Sequence, residues 1–226
     1  MIPLEGNLCA ACGEKMVGGR FEIEASPLCA ICRRARPQFN QAAAYGAYDG
    51  ALRDLIHIFK YQRVLSAGPV LGSMLGHAFA KLRIVGPLLM VPVPLWPGKR
   101  RARGFNQAED IARSFLRAYT GSGIQLCTGL LIRTRETVSQ TGLTRHQRRA
   151  NLKGAFSTTK PEALHGQTVV LVDDVMTTGA TAGECARVLL RAGAKQIFVA
   201  TVARATREVE SVTLGAPLAS AAATVS

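Results

Sequence analysis

Two adjacent carboxylates, Asp173 and Asp174, stop an apolar run in the stretch VVLVDDVMTTGATAG, residues 169 to 183, and a segment rich in Thr and Gly follows before a helix can begin. Backbone N–H groups at a helix N-terminus, together with the positive end of the dipole, attract a phosphate. Gly179 permits close approach, and Thr177, Thr178 and Thr181 add hydroxyl donors. A lone phosphate has no need of two carboxylates. A sugar phosphate does, because carboxylates accept hydrogen bonds from vicinal ribose hydroxyls while the loop holds the phosphate. Two plainer readings fit the same residues: a carboxylate pair holding Mg²⁺, and a TTG turn that merely caps a helix. A Walker loop is excluded, since its Gly-Lys-Ser/Thr ending is missing.

A second cluster lies at the other end of the chain. Cys9 and Cys12 form CAAC, and Cys29 and Cys32 form CAIC. Each CxxC turn brings two thiolates to one metal, and two such turns complete a tetrahedron around zinc. The alternative is two disulfides, which a reducing compartment disfavours. With four protein sulfurs the zinc is structural, having no open position for chemistry, and it supplies folding energy to a segment with little core of its own. Cys127 and Cys185 fall in apolar surroundings and read as small packed side chains.

The elements that must position these residues follow from apolar periodicity. Residues 41–48 read as a strand, 51–62 and about 68–83 as helices, LLMVPV (88–93) as a buried strand, and residues from about Asn106 to Tyr119 as a helix. Residues 126–132 read as one more strand and the polar stretch 133–153 as a long mobile excursion. TVVLV (168–172), the helix ending near Gly193 and QIFVATV (196–202) give the strand, helix, strand rhythm of a parallel α/β sheet. In such sheets ligands lie at the carboxyl ends of strands, where Asp173 and Asp174 fall. Three segments are expected: a Cys₄ zinc-binding subdomain over 1–38, an α/β domain over 39–204 and a disordered tail over 205–226.

The chain has 226 residues and a formal net charge of +13. Twelve Lys or Arg against three acids between Leu95 and Lys153 leave +9 of that charge in one region. This favours a concentrated anion-binding surface over an evenly solvated basic face. Lys99, Arg100, Arg101 and Arg103, just past a strand end, suit a diphosphate with Mg²⁺. The apolar region 84–96 is broken by Gly86, Pro87, Pro92 and Pro94, so no membrane insertion is expected. MIPLEGNL lacks the features of a secretory signal, which makes a cytoplasmic location the expectation.

VVLVDDVMTTGAT closely resembles the loop by which type I phosphoribosyltransferases bind 5-phosphoribosyl 1-diphosphate (PRPP). With the cysteine head, LIHIFKYQ, VPVPLWPGKRRARGFNQAEDIA and RTRETVSQTGLTRHQRRANLKGAF in this order, the chain resembles the ComF family over about residues 8 to 204, a family that includes GntX-like members. The resemblance implies a type I phosphoribosyltransferase-like parallel sheet flanked by helices, with a small N-terminal Cys₄ zinc ribbon. It implies ribose contacts from Asp173 and Asp174, a 5-phosphate cradle of Thr177, Thr178, Gly179, Ala180 and Thr181, and a diphosphate loop of Lys99, Arg100, Arg101 and Arg103, with Arg103 the foremost catalytic cation. The expected reaction transfers phosphoribose from PRPP, with Mg²⁺, to an unidentified acceptor. Gln140, Arg145, Arg149 and Asn151 match a closing loop, and His146 there is either a proton donor or a solvated residue. His57 and Lys60 fall on a helix, and Tyr61 is either a base-stacking ring or a core tyrosine. The family is associated with DNA uptake in natural transformation. The implied partners beyond PRPP are single-stranded DNA and a DNA-uptake helicase or processing protein, and the rival function is a non-catalytic single-stranded DNA-binding or helicase-partner module.

Overall fold

The computed structural model describes residues 1–16, 27–62, 64–137 and 144–205. Helix α1 (Ala30–Arg34) follows the second CxxC turn, and strand β1 (Gln41–Ala47) opens the main sheet. Helices α2 (Gly50–Tyr61) and α3 (Gly68–Ala80) lead to strand β2 (Leu88–Pro92). Next come helix α4 (Pro97–Arg103), helix α5 (Gln107–Ala118) and the short strands β3 (Ile124–Leu126) and β4 (Leu131–Arg133). Helix α6 (Arg145–Leu152) and strand β5 (Phe156–Thr158) precede strand β6 (Thr168–Met176), helix α7 (Ala180–Arg191) and strand β7 (Gln196–Arg204).

Five strands form one parallel sheet in the order β1-β7-β6-β2-β3, and β4 pairs antiparallel with β5 apart from it. Successive side chains of a strand point to opposite faces, so the apolar runs serve two cores. Val169 and Leu171 of β6 pack with Leu89, Val91, Ile197 and Val199 against α7, Leu152, Phe156 and the cysteine segment. Val170 and Val172 pack with Leu88, Met90, Ala200 and Val202 against α2, α3 and α5. The chain leaves β2 toward β3 on one side and β6 toward β7 on the other. The crevice outside the carboxyl ends of these adjacent strands is therefore the topological switch point where open sheets bind ligands.

The cysteine segment joins this fold as part of a core. Ala42 of β1 donates its N–H to the Ala11 carbonyl at 2.8 Å, and Leu4 donates to Tyr45 at 2.5 Å. Gly13, at φ +67°, lies so close that a Cβ would meet the Ala42 carbonyl oxygen at 2.8 Å. The segment thus covers the exposed side of an edge strand, which otherwise invites pairing with another chain.

The structure corrects four expectations from sequence. The basic loop after β2 is helix α4, started by Pro97 in its first turn and closed by Gly104 at φ 87°, with Arg100, Arg101 and Arg103 in the last turn, where cations offset the dipole. The single strand expected over 126–132 is the end of β3 and the start of β4. Part of the 133–153 excursion is helix α6, held by a capping box in which Thr144 and Gln147 bond reciprocally. Strand β6 runs to Met176, so the carboxylates sit within the strand and not after it. The tail expected to be disordered lies, beyond Ala205, outside the described residues, as do the middle of the cysteine segment (17–26) and Gln140.

The helix packing generates one expectation of its own. Helix α3 crosses α5 at Gly72, where a Cβ would meet the Phe115 nitrogen at 2.7 Å and Ser114 atoms at 2.8 Å. Backbone cannot yield as a side chain does, so Gly72→Ala should lower stability by roughly 1–3 kcal/mol. Urea denaturation of the variant measures this directly.

Candidate functional site

The carboxyl ends of β2 and β6 bring the candidate residues together. Asp174 is only 8% exposed, and Lys60 from the last turn of α2 places its Nζ 2.5 Å from Asp174 Oδ2. Each carboxylate also accepts the next amide: Asp174 N–H donates to Asp173 Oδ1 at 3.0 Å, and Val175 N–H to Asp174 Oδ1 at 2.8 Å. Burial works against the charge on Asp174, but the Lys60 ammonium and its hydrogen bond outweigh it and hold the Asp174 carboxyl below the usual carboxylate range. Asp173 has no such partner, and burial followed by the charge of Asp174 pushes it well above that range. Asp173 keeps some solvent access along its edge, yet its carboxyl is enclosed enough for burial to dominate. The pair is therefore divided into an ionised Asp174 and an Asp173 that tends to keep its proton. Lys60 occupies the position beside Asp174 that a divalent cation would take, which disfavours the alternative of a metal site at this pair.

The cradle follows directly. Gly179, at φ 75°, turns the chain from β6 into α7, and Ala180 is the first helical residue. Ala180 N–H donates to Thr178 Oγ1 at 3.3 Å. That hydroxyl holds one of the N–H groups that a phosphate oxygen would take at a helix N-terminus. Thr177 is exposed and Thr181 half-buried at the mouth.

The four cations assigned to a diphosphate do not converge on one point, because consecutive residues of a helix fan around its axis. Arg100 and Arg101 line a cleft of about 580 Å³ between α4 and β4, with Arg133 on its far wall. Arg100 lies 3.6 Å from Glu109, Lys99 is exposed, and Arg103 stacks over the Tyr61 ring at 5.2 Å. Tyr61 is 63% exposed, so it is not a core tyrosine. His57 is also exposed and contacts the Tyr61 ring at 4.7 Å between centroids.

Among residues that the pattern did not assign, two touch the site. Lys60 was legible as helical, but its partner lies far along the sequence and only the fold joins them. Arg148 donates from Nη1 to Thr177 Oγ1 at 3.2 Å; its signal was the capping box that starts α6. Arg149 and His146 instead line a larger cleft of about 1060 Å³, bounded by the cysteine segment, α6 and α7. Asn151 lends its carbonyl oxygen to Arg135 at 2.7 Å.

The sulfurs of Cys9, Cys12, Cys29 and Cys32 lie within 4.8 Å of one another, and Cys12 and Cys29 are 3.8 Å apart. Tetrahedral zinc with sulfur at ~2.3 Å sets its ligands ~3.8 Å apart, so the donor set and spacing fit a structural zinc. Cys185 is buried on α7 and Cys127 half-buried after β3, outside this cluster.

The comparisons with known proteins agree with this layout. Residues 101–213 match the phosphoribosyl transferase domain. The chain is 32% identical to Competence protein F of Haemophilus influenzae over 215 residues, which covers 89% of this chain and 92% of that protein. The chain belongs to the ComF family. DNA utilization protein YhgH of Escherichia coli, strain K12, is 32% identical over 197 residues, covering 85% of this chain and 82% of that protein. Competence protein ComFC of Bacillus subtilis is 24% identical over 196 residues, covering 84% of this chain and 74% of that protein. The family is thus linked by its members' names to competence and DNA utilization, and this chain carries the phosphoribosyl transferase domain together with an N-terminal cysteine cluster. Among the described residues no helix is long and apolar enough to cross a membrane.

The ion pair generates a pH-dependent expectation. Because the Asp174 carboxyl sits below its unfolded value, the pair's stabilisation is present above about pH 4 and is lost as pH falls through the folded value. Asp173, raised, acts in the opposite sense, its burial penalty growing as pH rises. Lys60→Met should therefore destabilise the protein by about 3 kcal/mol near pH 7, and by less near pH 3, where part of the pair's stabilisation is already lost. Urea unfolding of both proteins at the two pH values tests this; a difference independent of pH would show that Lys60 acts only by packing.

Proposed function

We propose that this chain binds PRPP and transfers its phosphoribosyl group to an acceptor in a DNA uptake or processing pathway. The observation that supports it most is the divided carboxylate pair followed at once by the cradle of residues 177–181. Asp174, kept ionised by Lys60, accepts from one ribose hydroxyl, and Asp173 engages the other. The N–H groups of Gly179, Ala180 and Thr181 meet the 5-phosphate, and Thr178 yields its bond to Ala180 when the phosphate arrives. Arg100 and Arg101, from the cleft beside the strand ends, stabilise the diphosphate as it leaves. Mg²⁺ bound with PRPP would add charge stabilisation there. The C1–O bond breaks with its electron pair leaving on pyrophosphate, an oxocarbenium-like centre develops, and the acceptor bonds to C1 from the opposite face. The protein's part is position, charge and exclusion of water.

A second reading has its own support. The 1060 Å³ cleft carries Arg36, Arg149, Lys153, Arg187, Arg191 and Arg204 against Glu184, and Glu184 is already paired with Arg187 at 2.5 Å. A basic groove of that kind suits the backbone of single-stranded DNA. The names of the relatives, which concern competence and DNA use, favour a nucleic-acid partner in addition to PRPP. A cytoplasmic setting belongs to the same reading.

Calorimetry with PRPP and Mg²⁺, ribose 5-phosphate, 2-deoxyribose 5-phosphate and a single-stranded oligonucleotide separates the two. PRPP should bind most tightly and the deoxy sugar most weakly of the three sugar phosphates, and Asp173→Asn with Asp174→Asn should weaken PRPP by roughly 2–4 kcal/mol. Oligonucleotide affinity should fall steeply with salt and change little in the Asp variant. Equal affinity for the ribose and deoxyribose phosphates would overturn the reading of the carboxylates as a diol clamp.

The cysteine segment, residues 1–38, is proposed to hold one structural Zn²⁺ per chain and the domain over 39–204 to carry the chemistry. Elemental analysis should find the metal at one equivalent, and removing it with a chelator should lower the melting temperature by several degrees without abolishing the spectrum of the α/β sheet. A protein that melts identically with and without metal would exclude the structural role.

A further inference from the structure

We propose that Arg133, the last residue of β4, binds the diphosphate of PRPP from the wall of the cleft opposite α4. The role depends on the phosphoribosyl reading and adds a third guanidinium to Arg100 and Arg101.

Four features of the cleft point to it. First, the cleft begins at the carboxylate pair: Pro92, which lines it, pairs with Val172 in the register of β2 and β6, one residue before Asp173. A group leaving C1 of a ribose held at Asp173 and Asp174 has this cleft beside it. Second, the lining is cationic, with Arg100, Arg101 and Arg133 against a single carboxylate, Glu109. Glu109 is already engaged from outside, accepting from Nε and Nη2 of Arg113 at 3.2 and 2.8 Å, and its remaining neighbour is Arg100 at 3.6 Å. Among the described residues no carboxylate lies within ion-pair distance of Arg133.

Third, Arg133 stands where an arginine is costly. Side chains alternate across a strand, so it shares the face of Leu131, which is 2% exposed, while Ile132 between them is 39% exposed. Burial pulls the pKa of the guanidinium below its ordinary value, and Nε is buried with no hydrogen-bond partner. A cation so placed, with no acid beside it, is unfavourable unless an anion arrives. Fourth, Arg133 is held without being neutralised. Its Nη2 donates to the buried Thr137 hydroxyl, and its guanidinium lies 5.6 Å over the ring of Phe156, its partner across the β4–β5 ribbon. These contacts fix the plane of the guanidinium. Among the described residues Nη1 has no hydrogen bond, and unlike Nε it is not buried, which leaves it for a phosphate oxygen.

The purified full chain is titrated calorimetrically with PRPP and Mg²⁺ and with ribose 5-phosphate, for wild type, Arg133→Met, Arg133→Lys and Lys160→Met, and each protein's melting temperature is measured. Arg133→Met keeps the packing of the stem but not the charge. It should weaken PRPP about tenfold, leave ribose 5-phosphate unchanged and melt no lower than wild type. Arg133→Lys should fall in between, because an ammonium keeps the charge without the planar fork. Lys160→Met removes an exposed charge outside the cleft and should bind PRPP within about twofold of wild type. Equal losses of PRPP affinity in Lys160→Met and Arg133→Met would reduce the effect to net charge, and equal losses for PRPP and ribose 5-phosphate in Arg133→Met would reduce it to a distorted site. A melting temperature lower by several degrees in Arg133→Met would assign the side chain to the stability of the ribbon. Each of these overturns the proposal. Wild-type affinity for PRPP in Arg133→Met would overturn it alone, leaving the phosphoribosyl reading standing, and wild-type protein that binds neither ligand would remove both.

Discussion

A carboxylate at the end of a strand buried on both faces cannot stay ionised without a partner, and in this protein the partner is Lys60, brought by a helix from the other end of the domain. Much of the architecture follows from that requirement. Helix α2 must end at the carboxyl edge of β6, so its apolar face, Leu52, Ile56 and Phe59, is buried in the core beneath the sheet while Lys60 reaches over the strand end. Phe59 also meets Phe105 edge-on at 5.2 Å, which fixes the junction between α4 and α5. The same junction sets Arg103 over Tyr61. One helix thus divides the carboxylate pair electrostatically and orients the basic element across from it.

The parts of this fold legible in the sequence are those whose burial imposes a long, regular apolar pattern. The runs in β2, β6 and β7 are continuous because both faces of a parallel sheet are covered, and α2, α3 and α5 show the 3, 4 spacing of helices with one buried face. The cysteine cluster was legible for a different reason, since CxxC spacing encodes the geometry of a pair of ligands within a single turn. Helices α4 and α6 escaped because they bury little: α4 has no buried residue, and among the described side chains of α6 only Leu152 is buried. Their evidence was in the ends and not in the middle, in Pro97 and Gly104 for one and in Thr144 and Gln147 for the other. At the site, the loop after β6 was legible because strand, carboxylates, threonines, glycine and helix are consecutive. Lys60 and Arg148 were not, because their roles depend on partners remote in sequence.

The two cores also explain why the cysteine segment and the candidate site are physically linked. One face of the sheet is closed by α2, α3 and α5, all built from ordinary apolar side chains. The other is closed by α7, the β4–β5 ribbon and the cysteine segment, with Cys9, Cys12 and Cys32 in the same buried cluster as Phe39, Met176 and Ala180. Phe39 and Met176 approach the space beside Gly179 to within 3.9 Å of where a Cβ would stand. The cysteine segment therefore supports the floor of the cradle through Phe39.

Charge ties the two together as well as packing. Arg204 ends β7 beside Met176 in the register, places Nη2 2.6 Å from Glu14 Oε2 and 3.6 Å from Cys12 Sγ, and lines the cleft that opens onto the cradle. Four thiolates around a divalent metal carry a net charge of about −2, and Glu14 adds one more negative charge next to them. A buried cation at this point is what such a cluster requires, since a buried anionic group without compensation is strongly destabilised. Arg204 answers that demand through Nη2, while its Nε and Nη1 stay buried without a hydrogen-bond partner. The cysteine segment and the end of β7 thus share one arginine, which joins the sulfur cluster to the wall of the cleft.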